Sequence, residues 1–293
     1  MKLIFRGVRG SIPTPGPGTV KYGGNTTCIE IRTASNELII LDAGTGIHAL
    51  AQRLNPRETV NAHIFITHTH WDHIQGLPFF MPIFMPNNLI NIYGGIDPVT
   101  NEGIQRSMGV QLQYSFFPIR EAELKAKLNY HTLLPGKTVS VGEARITPTL
   151  LNHPVLNFGY RIDCDGQSLF FTGDYEPVYN IYSPEDPDHD EYQSYVEAKL
   201  AEVAQAMSDV DALIVDASYT DEEYRSKQGW GHGTYRSALS MAAQAHAKKL
   251  FLTHHDPCRS DRQLDRIHQQ LQQENRDAPF DILMAREGIE YTL

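Results

Sequence analysis

The feature that most constrains this chain is an apolar strand that runs into a burst of ionisable side chains: Ala62-His63-Ile64-Phe65-Ile66-Thr67 leads into His68-Thr69-His70-Trp71-Asp72-His73. On an extended strand end, residues 68 and 70 point to one face, so two imidazoles can hold one ion. If the chain then turns into a helix at Trp71, Asp72 and His73 reach a second ion close by. Carboxylate oxygen and imidazole nitrogen together suit zinc, manganese or iron. A lone exposed histidine is usually only solvated, but this density directly after an apolar strand reads as a metal site. Trp71, inside the motif, reads as packing that shapes it.

The rest of the chain reads as strands and helices in one α/β arrangement. Strands are expected at residues 1–8, 28–33, 36–44, 62–70 and 89–95, with Ala34-Ser35-Asn36 as a hairpin turn. The prolines and glycines of residues 10–24 forbid regular helix. The pattern of the first half then recurs, with strands within 137–151 and 158–174 and further strands at 212–218 and 249–255. Helices are expected over 185–207, 234–249 and 262–276. The first starts acidic, as suits a helix N-terminus, and sets Val196, Leu200, Val203 and Met207 on one face. Two sheets with helices outside, as one domain over 1–293, account for the pattern. An acidic helical segment around 176–208 is expected as an insertion within it.

Composition narrows the function. With 25 Lys+Arg against 35 Asp+Glu the net charge is −10, which disfavours a long nucleic acid held mainly by phosphate contacts. No stretch has the roughly 18 uncharged apolar residues of a membrane span, and no secretory leader is evident at the start. Cys28, Cys164 and Cys258 are few, odd in number and far apart, unlike a disulfide framework. A cytoplasmic protein is expected.

Further motifs follow the histidine cluster in order: Leu151-Asn152-His153-Pro154, Phe170-Phe171-Thr172-Gly173-Asp174 and Phe251-Leu252-Thr253-His254, each after an expected strand, with Leu41-Asp42-Ala43-Gly44-Thr45-Gly46 before it. This series resembles the metallo-β-lactamase superfamily, over most of the chain. The resemblance implies an αβ/βα four-layer sandwich with metals at one edge between the sheets. It assigns His68, His70 and His153 to one ion, Asp72, His73 and His254 to the other, and Asp174 to a bridge between them. Asp42 would orient a ligand. The implied cofactors are two divalent metal ions, Zn2+ foremost, with Mn2+ or Fe as alternatives. A water shared by two such cations loses its proton near neutral pH and attacks an electrophile, so hydrolysis follows, with Asp72 among the catalytic residues.

The superfamily's substrates are diverse, and two further segments point within it. Asp216-Ala217-Ser218-Tyr219 resembles the acidic motif of the phosphodiesterase branch that includes ribonuclease Z. Gly229-Trp230-Gly231-His232-Gly233-Thr234 resembles that branch's Gly-His-Ser-Thr signature, with Gly233 in place of Ser. The resemblance makes His232 a phosphate-contacting group or general acid, oriented by Asp216, whose charge raises the imidazole pKa. Ribonuclease Z carries a tRNA-gripping arm between its third His motif and the bridging Asp, and here that interval is 174 − 153 = 21 residues. The acidic residues 185–191 are a poor surface for tRNA. A small phosphodiester, such as a cyclic nucleotide, is the expected substrate. A thioester or lactone hydrolase on the same ligands, a tRNA 3′-processing endonuclease and a ligand-sensing protein without catalysis are the alternatives. Around the substrate, Asn25 in a glycine-rich turn and Tyr175 beside Asp174 are candidate contacts. Met108 to Pro118, with Tyr114, Phe116 and Phe117, either covers the site or packs in an interface, and a homodimer follows from family habit.

Overall fold

Alternating and continuous apolar runs pair into two sheets of seven strands each in the computed structural model, which describes residues 1–293. The first six strands are β1 (Lys2–Gly7), β2 (Cys28–Arg32), β3 (Leu38–Leu41), β4 (Asn61–Phe65), β5 (Leu89–Gly94) and β6 (Lys127–Thr132). The next seven are β7 (Val139–Val141), β8 (Ala144–Leu151), β9 (Asn157–Cys164), β10 (Gln167–Phe171), β11 (Ala212–Asp216), β12 (Lys249–Thr253) and β13 (Asp281–Met284); β14 (Glu290–Thr292) returns to the first sheet. The sheet orders are β14-β1-β2-β3-β4-β5-β6 and β13-β12-β11-β10-β9-β8-β7.

Both sheets follow one pairing rule. From β14 inward the contacts are antiparallel as far as β2–β3 and parallel from β3–β4 onward. From β7 inward they are antiparallel as far as β9–β10 and parallel from β10–β11 onward. The recurrence expected between the halves is therefore real at the level of topology. Residues 137–151 and 158–174 each resolve into a hairpin rather than one strand. Asp165 and Gly166, with φ of 56° and 69°, supply the two positive-φ residues that a type I′ hairpin turn requires. The short edge strands β6, β13 and β14 escaped the sequence reading.

Three apolar clusters make four layers. Leu3, Phe5, Ile29, Ile39 and Phe65 of the first sheet meet Ile146, Phe158, Tyr160, Leu169 and Phe251 of the second, all fully or almost fully buried. The outer face of the first sheet, with Ile40, Ile64, Ile90 and Ile92, is covered by helices α1 (Gly46–Ala51), α2 (Trp71–Ile74) and α3 (Ile104–Gln111). On the other side Leu213, Val215, Leu250 and Leu252 lie beneath α4 (His189–Ala206), α6 (Tyr235–Gln244) and α7 (Asp261–Glu274), while α5 (Asp221–Tyr224) is a single turn. At about 1.5–3 kcal/mol for each large apolar side chain buried, these layers supply the main driving force for folding.

Local signals set the helix limits. Ser260 Oγ accepts the N–H of Gln263 to start α7, whose buried Leu264 and Leu271 are two turns apart. The helix expected over 234–249 stops at Gln244, because His246 takes a left-handed backbone (φ 49°) and Lys249 already begins β12. In α4, Val196, Val203 and the following Met207 are buried as expected, whereas Leu200 lies at the edge of the stripe and is 38% exposed. No helix is long and apolar enough to cross a membrane.

The topology gathers the chemistry at one end. Asp42 directly follows β3, the histidine cluster follows β4, Asp174 follows β10, Asp216 ends β11 and His254 directly follows β12. These are the C-terminal ends of the strands that form the parallel half of each sheet, where open α/β sheets leave a crevice for ligands.

Candidate active site

The loops at those strand ends bring two groups of metal-type donors together: His68, His70, His153 and Asp174 in one, Asp72, His73, Asp174 and His254 in the other. Asp174 belongs to both, with one oxygen turned to each. Its Oδ2 lies 3.5 Å from His68 Nε2 and 4.0 Å from His153 Nε2. Its Oδ1 lies 3.2 Å from His73 Nε2 and 3.1 Å from His254 Nε2. His70 Nδ1 is 3.1 Å from His68 Nε2 and 3.2 Å from His153 Nε2. Asp72 Oδ2 is 3.3 Å from both His73 Nε2 and His254 Nε2. A tetrahedral ion with ligands at about 2.0–2.1 Å separates them by about 3.3 Å, so the donor spacing fits ions of the zinc class. His73 Nε2 and Asp174 Oδ1 are buried with no hydrogen-bond partner. Orphaned polar atoms of this kind are costly unless something binds them, and a cation suits both.

The sequence reading places His68 and His70 on a strand end, whereas β4 stops at Phe65 and residues 66–70 form a loop. The loop is fixed from both sheets: Tyr160 donates its hydroxyl to the Ile66 carbonyl (2.6 Å), and Thr67 donates its N–H to Asp42 (2.7 Å). Convergence of the imidazoles therefore comes from these tethers rather than from strand alternation.

Four of the five imidazoles, all but His70, are oriented through the far nitrogen. His73 Nδ1–H donates to Asp42 Oδ2 (2.7 Å). Thr67 Oγ1 donates to the same carboxylate (2.9 Å) and accepts from His68 Nδ1–H (3.1 Å). On the other sheet Ser218 Oγ donates to Asp216 Oδ1 (2.7 Å) and accepts from His254 Nδ1–H (3.0 Å). His153 Nδ1–H donates to the Gly231 carbonyl (2.9 Å). These bonds set each tautomer so that the opposite nitrogen keeps its lone pair for a metal. Thr67, Ser218 and the Gly231 carbonyl were missed in the sequence, although the hydroxyls lie inside the quoted motifs. Ser11 N–H on Asp72 Oδ2 (2.7 Å) and Asn157 Nδ2–H on the Asp174 carbonyl (2.6 Å) had no sequence signal, because both bridge distant segments.

Electrostatics follow the geometry. Burial pushes the Asp174 carboxyl up, but His254, His73 and His68 outweigh it and hold it well below the usual carboxylate range. Burial lowers the pKa of His68, His70 and His153, keeping these rings neutral.

Asp216 and His232 form a separate pair beside the donors, with His232 Nδ1–H on Asp216 Oδ2 at 2.8 Å. The His232 ring stacks on His254 with centroids 4.8 Å apart, and its Nδ1 lies 3.8 Å from Asp174 Oδ2. Burial lowers the His232 pKa, but the Asp216 charge and hydrogen bond overcome it and push the imidazole up to about 9. These four residues also satisfy a metal-donor pattern. The close His232–Asp216 contact nevertheless reads as a hydrogen bond that consumes both atoms.

The expected substrate contacts fare differently. Asn25 is turned away from that role, because its main-chain N–H (2.7 Å) and side-chain amide (2.9 Å) both bind the Glu287 carboxylate. Tyr175 is 2% exposed in the core under the second sheet, its main-chain N–H reaches Asp216 (3.3 Å), and it lies in the wall of a cavity beside His153. Trp71, expected to pack, is 62% exposed. In the aromatic segment, Phe117 stands edge-on to Phe79 (5.6 Å) and stacks near Phe84 (6.5 Å), while Tyr114 and Phe116 are exposed. On the flanks of His153, two cavities of about 380 and 300 Å³ share Asn152, His153, Pro154 and Val178. The acidic segment lines them with Tyr195 and Lys199 in one and Tyr179, Ile181 and Tyr192 in the other. A cavity of about 650 Å³ between α6 and α7 contains none of the donors.

Two seven-stranded sheets packed between helices, with His and Asp donors on the loops at one edge, define a four-layer α/β sandwich whose edge is suited to divalent metal ions. The chain belongs to the beta-lactamase superfamily, whose Beta-lactamase superfamily domain matches residues 37–255. Among curated relatives, a ribonuclease Z of Oenococcus oeni is 27% identical and is aligned over 87% of this chain and 85% of its own length. Among solved structures, human tRNase Z, short form, superposes with a TM-score of 0.69 at 19% identity, covering 100% of this chain and 99% of that one. A diphosphatase from the PhnP family gives 0.65 at 18% identity, covering 100% and 97%. These structural likenesses show the same fold along the whole length of the chain.

Proposed function

We propose that this chain is a dinuclear metal-dependent phosphodiesterase acting on a small, nucleotide-sized diester. The observation that carries the reading is Asp174, with one oxygen in each donor group and the His232–Asp216 pair beside it. His68, His70 and His153 would hold one divalent ion and Asp72, His73 and His254 the other, with Asp174 between them. Zinc is the first choice, and manganese or iron are alternatives. Bound there, the ions supply an activated water and polarise the phosphoryl group. With Nδ1 committed to Asp216, His232 has Nε2–H free to stabilise charge on the phosphoryl oxygens and to donate to the departing oxygen.

The curated relatives named ribonuclease Z support cleavage of a phosphodiester. They also favour a second reading, tRNA 3′ processing. The small substrate is supported by the net charge of −10 and by the 153–174 interval, which is taken up by β9, β10 and their turn. The cavities beside His153, walled by the acidic segment, are of small-molecule size. Cytoplasmic residence belongs to the same reading and is supported by three unpaired cysteines.

The test is hydrolysis, by protein of assayed metal content, of cyclic mononucleotides, cyclic dinucleotides, a tRNA precursor, a thioester and a lactone. Turnover confined to the small diesters is expected. Cleavage of the precursor with little small-diester activity would establish the second reading, and turnover of the thioester or lactone alone would overturn the phosphodiesterase assignment.

A further inference from the structure

Glu176 is two residues beyond Asp174, is 1% exposed, and spends its carboxylate on a loop from another part of the chain. Its Oε1 accepts the N–H of Gly229 (2.8 Å) and the hydroxyl of Tyr224, and its Oε2 accepts the N–H of Gly231 (2.8 Å). Gly229 and Gly231 both have left-handed backbone, φ 86° and 88°. N–H groups presented by such a turn form a concavity for an anion, and here a side chain of the same protein fills it. The loop so held carries two functional groups. The Gly231 carbonyl receives His153 Nδ1–H, and the next residue is His232. Gly231 lies directly against the His153 ring, where an added Cβ would meet the imidazole. The main chain of Glu176 is also tied to Asn152, which precedes His153: Glu176 N–H donates to the Asn152 carbonyl (3.2 Å) and Asn152 Nδ2–H to the Glu176 carbonyl (2.9 Å).

We propose that Glu176 is a positioning residue that locks the segments carrying Asp174, His153 and His232 into one register. Its carboxylate hydrogen-bonds no metal donor; although Glu176 lies in the wall of the smaller cavity beside His153, its oxygens are spent on the loop, and it acts by fixing the Gly231 peptide, and through it the orientation of His153 and the placement of His232. The inference rests on the phosphodiesterase reading for its catalytic half, whereas its metal-binding half stands independently of substrate.

The geometry makes an ordering of variants that separates this role from a need for buried charge. Glu176→Gln can keep its oxygen at the place of Oε2, which lies within reach of both glycine N–H groups (3.1 Å from Gly229, 2.8 Å from Gly231), and turn its amide to Tyr224 Oη, which accepts a hydrogen bond. Glu176→Asp keeps the charge but draws the carboxylate back by about 1.5 Å, one C–C bond, out of reach of the loop. Glu176→Ala leaves both N–H groups unpaired.

The experiment measures zinc retention against a chromophoric chelator and kcat and KM on bis(p-nitrophenyl) phosphate, with melting temperature as the control for folding. The Gln variant should remain within about threefold of wild type in both readouts. The Asp and Ala variants should release part of their zinc about 10–100-fold more readily, as expected when the partner of a metal-binding histidine is displaced. Their kcat should fall by about 10²-fold, the effect of a misplacement near 1 Å, with KM little changed. Tyr224→Phe, which leaves the glycine contacts intact, should behave as wild type. If the Ala variant does not fold, the Gln and Asp variants still decide. A benign Asp variant with a damaged Gln variant, or zinc retention and kcat unchanged in Asp and Ala, would overturn the proposal. Should wild type hydrolyse no diester, the functional reading fails while zinc retention still tests the positioning role.

Discussion

Replacing His232 with alanine isolates the only imidazole at the site that belongs to neither bridged donor group. Its Nδ1 is held by Asp216 at 2.8 Å, and its ring lies against His254. A positioned general acid contributes about 10²–10⁴ in rate. The lower end applies to bis(p-nitrophenyl) phosphate, whose leaving group departs with little help from a proton and for which His232 offers mainly its charge. A loss of about 10²-fold, equivalent to about 2.7 kcal/mol, is therefore expected for His232→Ala on this ester. A diester with an alkoxide leaving group should lose more, toward about 10³–10⁴, because proton donation then matters fully. The assay is steady-state hydrolysis of both esters by wild type and variant with metal content measured in parallel, and that content should not change. Activity within about threefold of wild type on both esters, at equal metal loading, would refute the assignment of His232 to the chemistry.

Other consequences are equally direct. Asp42→Ala removes the acceptor of His73 Nδ1–H and of Thr67, and should weaken zinc binding by about 10–100-fold in chelator competition. Zinc at about 100 times its dissociation constant should raise the free energy of unfolding by about 2.7 kcal/mol per site, read as urea midpoints with and without chelator. Glu223 is pushed up by burial, but hydrogen bonds from Arg259 and the Thr220 N–H outweigh this and hold it at about 2, below its usual 4.5. Its contribution is thus present above pH 4.5 and lost as pH falls through about 2. Because the Glu223 side chain is 38% exposed, Glu223→Gln should cost only about 1 kcal/mol at pH 7. The gap from wild type should close on acidification, and a gap independent of pH would show that the ion pair is not its source.

The sequence made the donors legible because their residue types are rare in apolar surroundings and each sits just beyond a strand-like run. His68, His70, Asp72, His73, His153, Asp174 and His254 converge from loops as far as 254 − 68 = 186 residues apart, between His68 and His254. The groups that hold them were less visible. Thr67 and Ser218 are ordinary hydroxyls whose role appears only when the β4 and β11 loops approach Asp42 and Asp216. Asn25 misled for the converse reason: a polar residue in a glycine-rich turn suggests a ligand contact, but a distant Glu287 meets its amide first. The edge strands β13 and β14 are short, and β6, although six residues long, has no fully buried side chain, so they carry little of the periodicity by which a strand is recognised.

The recurrence of the pairing pattern gives these holders a common logic. In the first sheet a carboxylate beyond β3, Asp42, and a hydroxyl beyond β4, Thr67, orient the histidines of the β4 loop. In the second sheet the carboxylate at the end of β11, Asp216, and the nearby hydroxyl of Ser218 orient His254 beyond β12. Each half thus uses a carboxylate–hydroxyl–imidazole relay, and each carboxylate also accepts directly from a second imidazole; for Asp216 Oδ2 this is His232, which belongs to neither bridged donor group. For Asp42 Oδ2 it is His73, a metal-type donor. The two halves are alike in how they hold metal-type donors and differ in the second imidazole their carboxylates bind, and that difference puts His232, the proposed acid, on the side of the second sheet.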